Sequence, residues 1–80
     1  EKKNYFYSIK IADFYYEDSA KMMIKRIVKE TSLENLRIIK LSKTKYRVLI
    51  GPFNDIKSIR ESFDKVKSLN FDNLEILKNV

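Results

Sequence analysis

The 80 residues of this chain are enough for one small domain with a modest core, and not for two. Seventeen basic and eleven acidic residues give a net charge of +6, and an apolar fraction of 44% is typical of a globular chain. Cysteine and histidine are absent and glycine occurs once, which excludes disulfides, the usual neutral-pH general base and glycine-rich phosphate loops. The composition favours a non-catalytic binding module without a cofactor.

The first part of the chain predicts a strand followed by a helix. Residues 5–12 alternate between two faces, as expected of a strand. One face carries Tyr5, Tyr7, Ile9 and Ile11, and the other carries Phe6, Ser8, Lys10 and Ala12. A helix is then expected to begin near Glu17 or Asp18. Its apolar stripe consists of Ala20, Met23, Ile24, Ile27 and Val28.

The remaining chain predicts two strands, a helix and a last short strand. We expect strands over residues 36–41 and 45–50, with Gly51 and Pro52 ending the second of them. Asn54 is the predicted N-cap of the second helix. The apolar stripe of that helix consists of Ile56, Ile59, Phe63, Val66 and Leu69. The final strand is expected over residues 74–78.

A repeat of 39 residues relates the two halves of the chain. Shifting the sequence by this length places Tyr7 on Tyr46, Ile9 on Val48, Ile11 on Ile50 and Phe14 on Phe53. The order β-α-β-β-α-β with matched core positions predicts an α+β fold, the ferredoxin-like split βαβ sandwich. We expect one four-stranded sheet in the order 4-1-3-2, with the two central strands parallel and both helices on one face.

The other face of the predicted sheet is partly basic and partly apolar. Residues 31–50 carry five basic residues and one acidic residue, and Lys45, Arg47 and Leu49 alternate outward on the third strand. Such a face attracts an anionic polymer with flat apolar surfaces, either single-stranded nucleic acid or a glycan with carboxylates. Tyr15, in the loop after the first strand, is a candidate for the edge of a binding groove. The alternative is that Lys10 and Arg47 are solvated side chains on an exposed sheet face and bind no ligand.

Two segments of the chain are each followed by an amphipathic helix, namely Tyr7-Ser8-Ile9-Lys10-Ile11-Ala12-Asp13-Phe14 and Tyr46-Arg47-Val48-Leu49-Ile50-Gly51-Pro52-Phe53. With their helices, these segments resemble the SPOR domain family. The resemblance covers residues 5–78, so we expect residues 1–80 to be a single SPOR-like domain. The family commonly has Gln where this chain has Lys10, and Gly where it has Ala12.

The resemblance implies binding to bacterial peptidoglycan, at glycan strands stripped of their stem peptides. Carried over by position, it assigns ligand contacts to Lys10, Asp13 and Arg47. Phe6, Ser8 and Leu49 complete the expected site, since Phe6 and Leu49 offer apolar area to sugar rings. It further implies a monomeric C-terminal module of a periplasmic or cell-envelope protein that acts at the division septum. No run approaches the roughly 18 apolar residues of a membrane span, so membrane insertion by this chain is not expected.

Two other functions remain open at this point. An RNA-binding module of the RRM type has the same order of elements, but it requires outward aromatic residues on the third strand. Positions 45, 47 and 49 hold Lys, Arg and Leu, so we expect no nucleic acid partner. A regulatory protein-interaction domain would present an apolar patch on the open sheet face, and the lysines and arginine there argue against it.

Overall fold

The computed structural model of the chain describes residues 5–79, which form two helices and four strands in the predicted order. The elements are β1 (Tyr7–Phe14), α1 (Glu17–Thr31), β2 (Leu36–Ser42), β3 (Lys45–Phe53), α2 (Ile56–Lys67) and β4 (Glu75–Lys78). β1 begins and ends two residues later than predicted, and β3 continues three residues beyond its predicted end. The α+β fold class is confirmed.

The four strands form one sheet in the order β2-β3-β1-β4, and all three neighbouring pairs are antiparallel. The order is as predicted, but the expectation of parallel central strands is wrong. The α1 crossover returns the chain so that β2 runs in the same direction as β1. A tight hairpin then reverses β3 relative to β2, so β3 must run antiparallel to β1.

The core lies between the sheet and the two helices, which both pack on one sheet face. The buried residues of this cluster are Ile9, Ile11, Ala20, Ile27, Val48, Ile50, Ile59 and Val66. The predicted burial of alternate residues on β1 and β3 is therefore confirmed. At its margin, Ile56 and Ile76 are exposed and line an apolar groove between α2 and β4, although Ile56 was assigned to the core stripe of α2.

A β-bulge interrupts the side-chain alternation of each central strand. In the register of the two strands, Lys10 pairs with Leu49 and Ala12 pairs with Val48, so β1 contains one extra residue at Ile11. Ala12 consequently turns toward the core rather than outward as predicted, and Phe14 also packs on the core. A second bulge lies in β3. Tyr7 pairs with Phe53 and Ile9 pairs with Ile50, so β3 contains one extra residue around Gly51 and Pro52. This bulge lets β3 continue past the residues that were expected to end it.

Gly51 is required by this second bulge for two reasons. Its φ of +135° lies in a region that residues with a side chain rarely adopt. A Cβ atom at this position would lie 2.8 Å from Ser8 Oγ and 3.1 Å from both Ser8 Cα and the carbonyl oxygen of Tyr7. The close approach of β3 to β1 at this point therefore excludes any larger residue.

The N-cap of α2 is Asp55, one residue after the predicted Asn54. The Asp55 carboxylate accepts a hydrogen bond from the backbone N–H of Ser58 at 2.7 Å and another from the Ser58 hydroxyl at 3.0 Å. The backbone hydrogen bond from Ser58 is the main cause that lowers the pKa of Asp55. Both residue types are good N-caps, so sequence preference alone did not separate them.

We predict that Gly51→Ala lowers the free energy of unfolding by about 1–3 kcal/mol, which is the usual cost of a strained backbone conformation. Urea denaturation followed by circular dichroism measures this loss. Lys43→Ala, at an exposed position in the hairpin turn, is the control and should change stability by less than about 0.5 kcal/mol. Equal stability of Gly51→Ala and the wild type would show that the bulge at Gly51 is wrongly placed.

Candidate ligand-binding face of the sheet

The sheet face opposite the helices, here called the open face, receives side chains from all four strands. The register of the strand pairs places on it Ser8, Lys10, Asp13, Arg37, Ile39, Lys45, Arg47, Leu49, Glu75 and Leu77. Asp13 belongs to this face only because of the bulge at Ile11. The face thus combines four basic residues, two acidic residues and several apolar ones.

Three basic side chains of the open face lie close to the carboxylate of Asp13. Arg47 donates two hydrogen bonds to its carboxylate, from Nε at 2.8 Å and from Nη2 at 3.0 Å. The ammonium groups of Lys10 and Lys45 each lie 3.8 Å from Asp13 Oδ2. Lys10 also lies 3.8 Å from a carboxylate oxygen of Glu75 on β4. We call these five residues the Asp13 cluster.

The surroundings of Asp13 and Arg47 favour the charged form of both side chains. The hydrogen bond from Arg47, supported by the positive charges of Arg47, Lys10 and Lys45, lowers the pKa of Asp13 although partial burial opposes it. The same hydrogen bond raises the pKa of Arg47. Side-chain exposures of 21% for Asp13 and 22% for Arg47 mean that solvent screens the pair only in part.

Arg47 keeps donors for a ligand although Asp13 occupies one edge of its guanidinium. The pair with Asp13 uses Nε and Nη2, so the two N–H groups of Nη1 are not part of it. The side chain was expected to grip a ligand carboxylate with its planar fork. In the structure one edge of that fork already holds Asp13, and a ligand is left with the edge formed by Nη1 and the second N–H of Nη2, together with the neighbouring ammonium groups.

Two residues of the predicted site present no surface to a ligand. Leu49 is fully buried, although its side chain lies on the open face between its cross-strand neighbours Lys10 and Arg37. Their long aliphatic stems can cover such a residue. Ser8 is also fully buried, because Gly51 packs against it and Arg37 donates a hydrogen bond to its hydroxyl at 3.0 Å. The expectation that Leu49 offers apolar area to a ligand is therefore wrong.

Phe6 and Tyr15 are exposed and lie at opposite ends of β1. The backbone of Phe6 is fixed to Asn79 by two hydrogen bonds, of 2.6 and 3.3 Å. Tyr15 follows the last residue of β1, and its ring packs edge-on against that of Tyr16 with centroids 4.7 Å apart. About eight strand residues at roughly 3.3 Å each separate the two aromatic rings. The predicted residues therefore extend over a length suited to a polymer.

Three features of the open face were missed in the sequence. Arg37 spans β2 and β3, donating to the carbonyl oxygen of Gly51 at 3.3 Å as well as to Ser8. Lys45 belongs to the Asp13 cluster. Residues 71–73 line a cleft together with residues 10–13. Alternation along β2 could have identified Arg37 as an outward residue. Alternation along β3 did place Lys45 outward but did not link it to Asp13, and no local signal places the loop before β4 beside β1.

Residues 5–79 contain neither a cluster of metal-binding side chains nor a membrane-spanning helix. This part of the chain has no group of three or more His, Cys, Asp or Glu side chains that could hold a metal ion. Neither of its two helices is long and apolar enough to cross a membrane.

Comparison with known proteins identifies the fold. No family model and no curated protein matches the sequence. Among solved structures, the crystal structure of the RlpA SPOR domain from Pseudomonas aeruginosa superposes with a TM-score of 0.65. The match covers 90% of this chain and 96% of that chain. The chain has the fold of a SPOR domain. Because the two sequences are 15% identical, the likeness establishes the SPOR fold alone.

We predict that the Asp13 cluster makes the stability of this SPOR fold depend on pH. The folded-state pKa of Asp13 lies below its ordinary value of 3.8, so the carboxylate stabilises the fold above that pH. This contribution disappears as the pH falls through the lowered pKa. Asp13→Asn should therefore be less stable than the wild type at pH 7, and the difference should shrink toward pH 2 in urea denaturation experiments.

Asp64→Asn is the matched control for this experiment. Asp64 is an exposed carboxylate on α2, and the described residues show no ion pair with it. Substitutions at exposed positions without such contacts change stability by less than about 0.5 kcal/mol, so Asp64→Asn should lack the loss expected for Asp13→Asn at pH 7. The pKa of Asp55 is lowered in the folded state, as that of Asp13 is. Both variants keep Asp55, so both will still lose some stability when this carboxylate is protonated in acid. A difference for Asp13→Asn that is as large at pH 2 as at pH 7 would contradict the prediction.

Proposed function

We propose that this SPOR-type domain is a non-catalytic module that binds bacterial peptidoglycan at glycan strands without stem peptides. The observation that carries the proposal is the Asp13 cluster, which places three cations on the open face of a SPOR fold. The two sequence segments that resemble the family, including the one around Arg47, form the central strands beneath it.

The chemistry of the glycan supports this choice of ligand. Removing a stem peptide converts the lactyl amide of each muramic acid into a free carboxylate, so the stripped strand is an anionic polymer. Arg47 can donate to such a carboxylate through Nη1, and Lys10 and Lys45 add positive charge beside it. The exposed rings of Phe6 and Tyr15 offer apolar surfaces to the C–H faces of sugars.

The biological setting follows from the same proposal. A module that binds stripped glycan would direct its parent protein to the places in the cell envelope where stem peptides are removed, and we propose the division septum as that place. We further propose that the domain is a monomeric C-terminal module of a periplasmic or envelope protein. Localisation of a fluorescent fusion in dividing cells tests the first of these statements.

A single-stranded RNA-binding function is the second candidate, and the open face disfavours it. Base stacking is the main source of affinity in modules with this order of elements. The outward residues of β3 are Lys45, Arg47 and the buried Leu49, so this central strand presents no aromatic ring. A basic face without a stacking platform suits a carboxylated glycan better than it suits bases.

We predict that Arg47→Ala weakens binding to stripped glycan about ten- to hundred-fold, because a charge-assisted hydrogen bond contributes about 1.5–3 kcal/mol. Arg47→Lys should restore only part of the affinity, since an ammonium group lacks the planar fork that Asp13 holds. Pull-down on purified sacculi, with and without prior amidase treatment, measures the effect, and thermal melts verify that the variants fold.

The control is Lys21→Ala, which removes a positive charge from α1, away from the sheet. Lys21 is exposed and its ammonium group lies 3.8 Å from Glu17 on the same helix. This variant should bind sacculi like the wild type. Wild-type binding by Arg47→Ala, or an equal loss in Lys21→Ala, would place the ligand elsewhere than on the open face.

We also predict that the affinity for stripped glycan falls as ionic strength rises. The lysines and Arg47 of the Asp13 cluster are partly exposed, so salt screens their attraction to lactyl carboxylates over about 10 Å at 0.1 M. Titrations between about 0.02 and 0.5 M NaCl, over which the Debye length falls from roughly 20 Å to roughly 4 Å, measure this dependence. A dissociation constant that stays constant over this range would mean that hydrogen bonds and sugar stacking alone hold the glycan.

A further inference from the structure

The two acidic residues of the open face differ in their surroundings. Asp13 is 21% exposed and lies within 4 Å of three cations, those of Lys10, Lys45 and Arg47. Glu75 is 55% exposed and contacts Lys10 alone among these, at 3.8 Å. Asp13 thus occupies the position between the basic groups where an anionic group of a ligand would be most strongly attracted.

We infer that Asp13 is a specificity-determining residue that acts as an internal counter-ion, so that the open face accepts sparsely charged glycan and disfavours densely charged polyanions. The inference rests on the proposed function, because it concerns the selectivity of the same face. It differs from the expectation drawn from the family resemblance, which makes Asp13 a direct contact of the ligand.

The physical reason lies in how the two classes of polymer gain their affinity. A dense polyanion such as single-stranded nucleic acid binds largely by releasing counter-ions, in proportion to the number of phosphates that the protein neutralises. Lys10, Lys45 and Arg47 are already neutralised in part by Asp13, so they release fewer counter-ions. Any phosphate placed among them also meets the negative charge of Asp13.

A stripped glycan depends less on charge density. It carries one lactyl carboxylate for each muramic acid, and its remaining polar groups are neutral hydroxyls and amides. One carboxylate can reach Nη1 of Arg47 while Asp13 keeps Nε and Nη2. Holding the guanidinium in place also reduces the side-chain entropy that is lost when the ligand binds. Asp13 therefore lowers the affinity of the open face for glycan only slightly, whereas it lowers the affinity for a polyphosphate strongly.

The test compares the wild type with Asp13→Asn and with the matched control Glu75→Gln, which removes the same formal charge from the same face. Each protein is titrated with a single-stranded oligo-dT and with amidase-treated glycan strands at several salt concentrations. Asp13→Asn should bind oligo-dT about fivefold more tightly at 0.1 M salt, with a salt slope steeper by about 0.7, as expected for one additional phosphate neutralised.

The other expected results separate local from general charge effects. Glu75→Gln should bind oligo-dT less than about twofold more tightly, since exposed ion pairs such as that of Glu75 hold their partners weakly. Asp13→Asn should gain more affinity for oligo-dT than for glycan, so its preference for glycan over oligo-dT falls. Asp13→Thr makes the same charge change with a side chain that suits a strand, and serves if Asp13→Asn does not fold.

Four outcomes would overturn the inference. The first two concern Asp13→Asn, which would lose affinity for glycan without gaining affinity for oligo-dT, or would bind both polymers like the wild type. The third is that Glu75→Gln gains as much affinity for oligo-dT as Asp13→Asn does. The fourth is that neither Asp13 variant folds. The proposed function fails separately if the wild type does not bind glycan. In that case a gain of Asp13→Asn for oligo-dT would still establish Asp13 as the internal counter-ion of the open face.

Discussion

The bulge at Ile11 decides which side chains of β1 can meet a ligand. Residues three apart in a regular strand point to opposite faces, so Lys10 and Asp13 would be separated by the sheet. The extra residue in β1 shifts the alternation, places both on the open face, and turns Ala12 and Phe14 toward the core. Without the bulge, the carboxylate of Asp13 would lie among apolar side chains, where an unpaired charge is strongly destabilising. The candidate site and the core therefore depend on the same local irregularity.

The pair of Asp13 and Arg47 has consequences for both stability and binding. An exposed ion pair contributes little, but this one is bidentate, about four-fifths shielded, and connects the two central strands. It fixes the guanidinium before any ligand arrives, and it balances one of the positive charges that Lys10 and Lys45 bring to the same place. The open face is consequently less positive than the net charge of +6 suggests, and its remaining donors have defined directions.

Two-residue alternation and the 39-residue repeat were enough to predict the order of elements, the sheet order and most of the core. The direction of the central strands follows from the connections rather than from any residue, and there the prediction was wrong. The bulges did leave a signal, because both Ile11 to Phe14 and Ile50 to Phe53 are apolar positions three residues apart, which an unbroken strand cannot bury together. The burial of Leu49 could not be predicted locally, since it depends on long side chains from two other strands.

The central claim is that glycan binds on the open face, and mapping of backbone amide chemical shifts by nuclear magnetic resonance tests it most directly. Soluble glycan fragments from amidase-treated sacculi would be titrated into the isotope-labelled domain. The account predicts that the largest shift changes occur in the Asp13 cluster and near Tyr15, with little change along α1. Changes confined to the apolar groove around Ile56 and Ile76, on the helix side of the molecule, would contradict it.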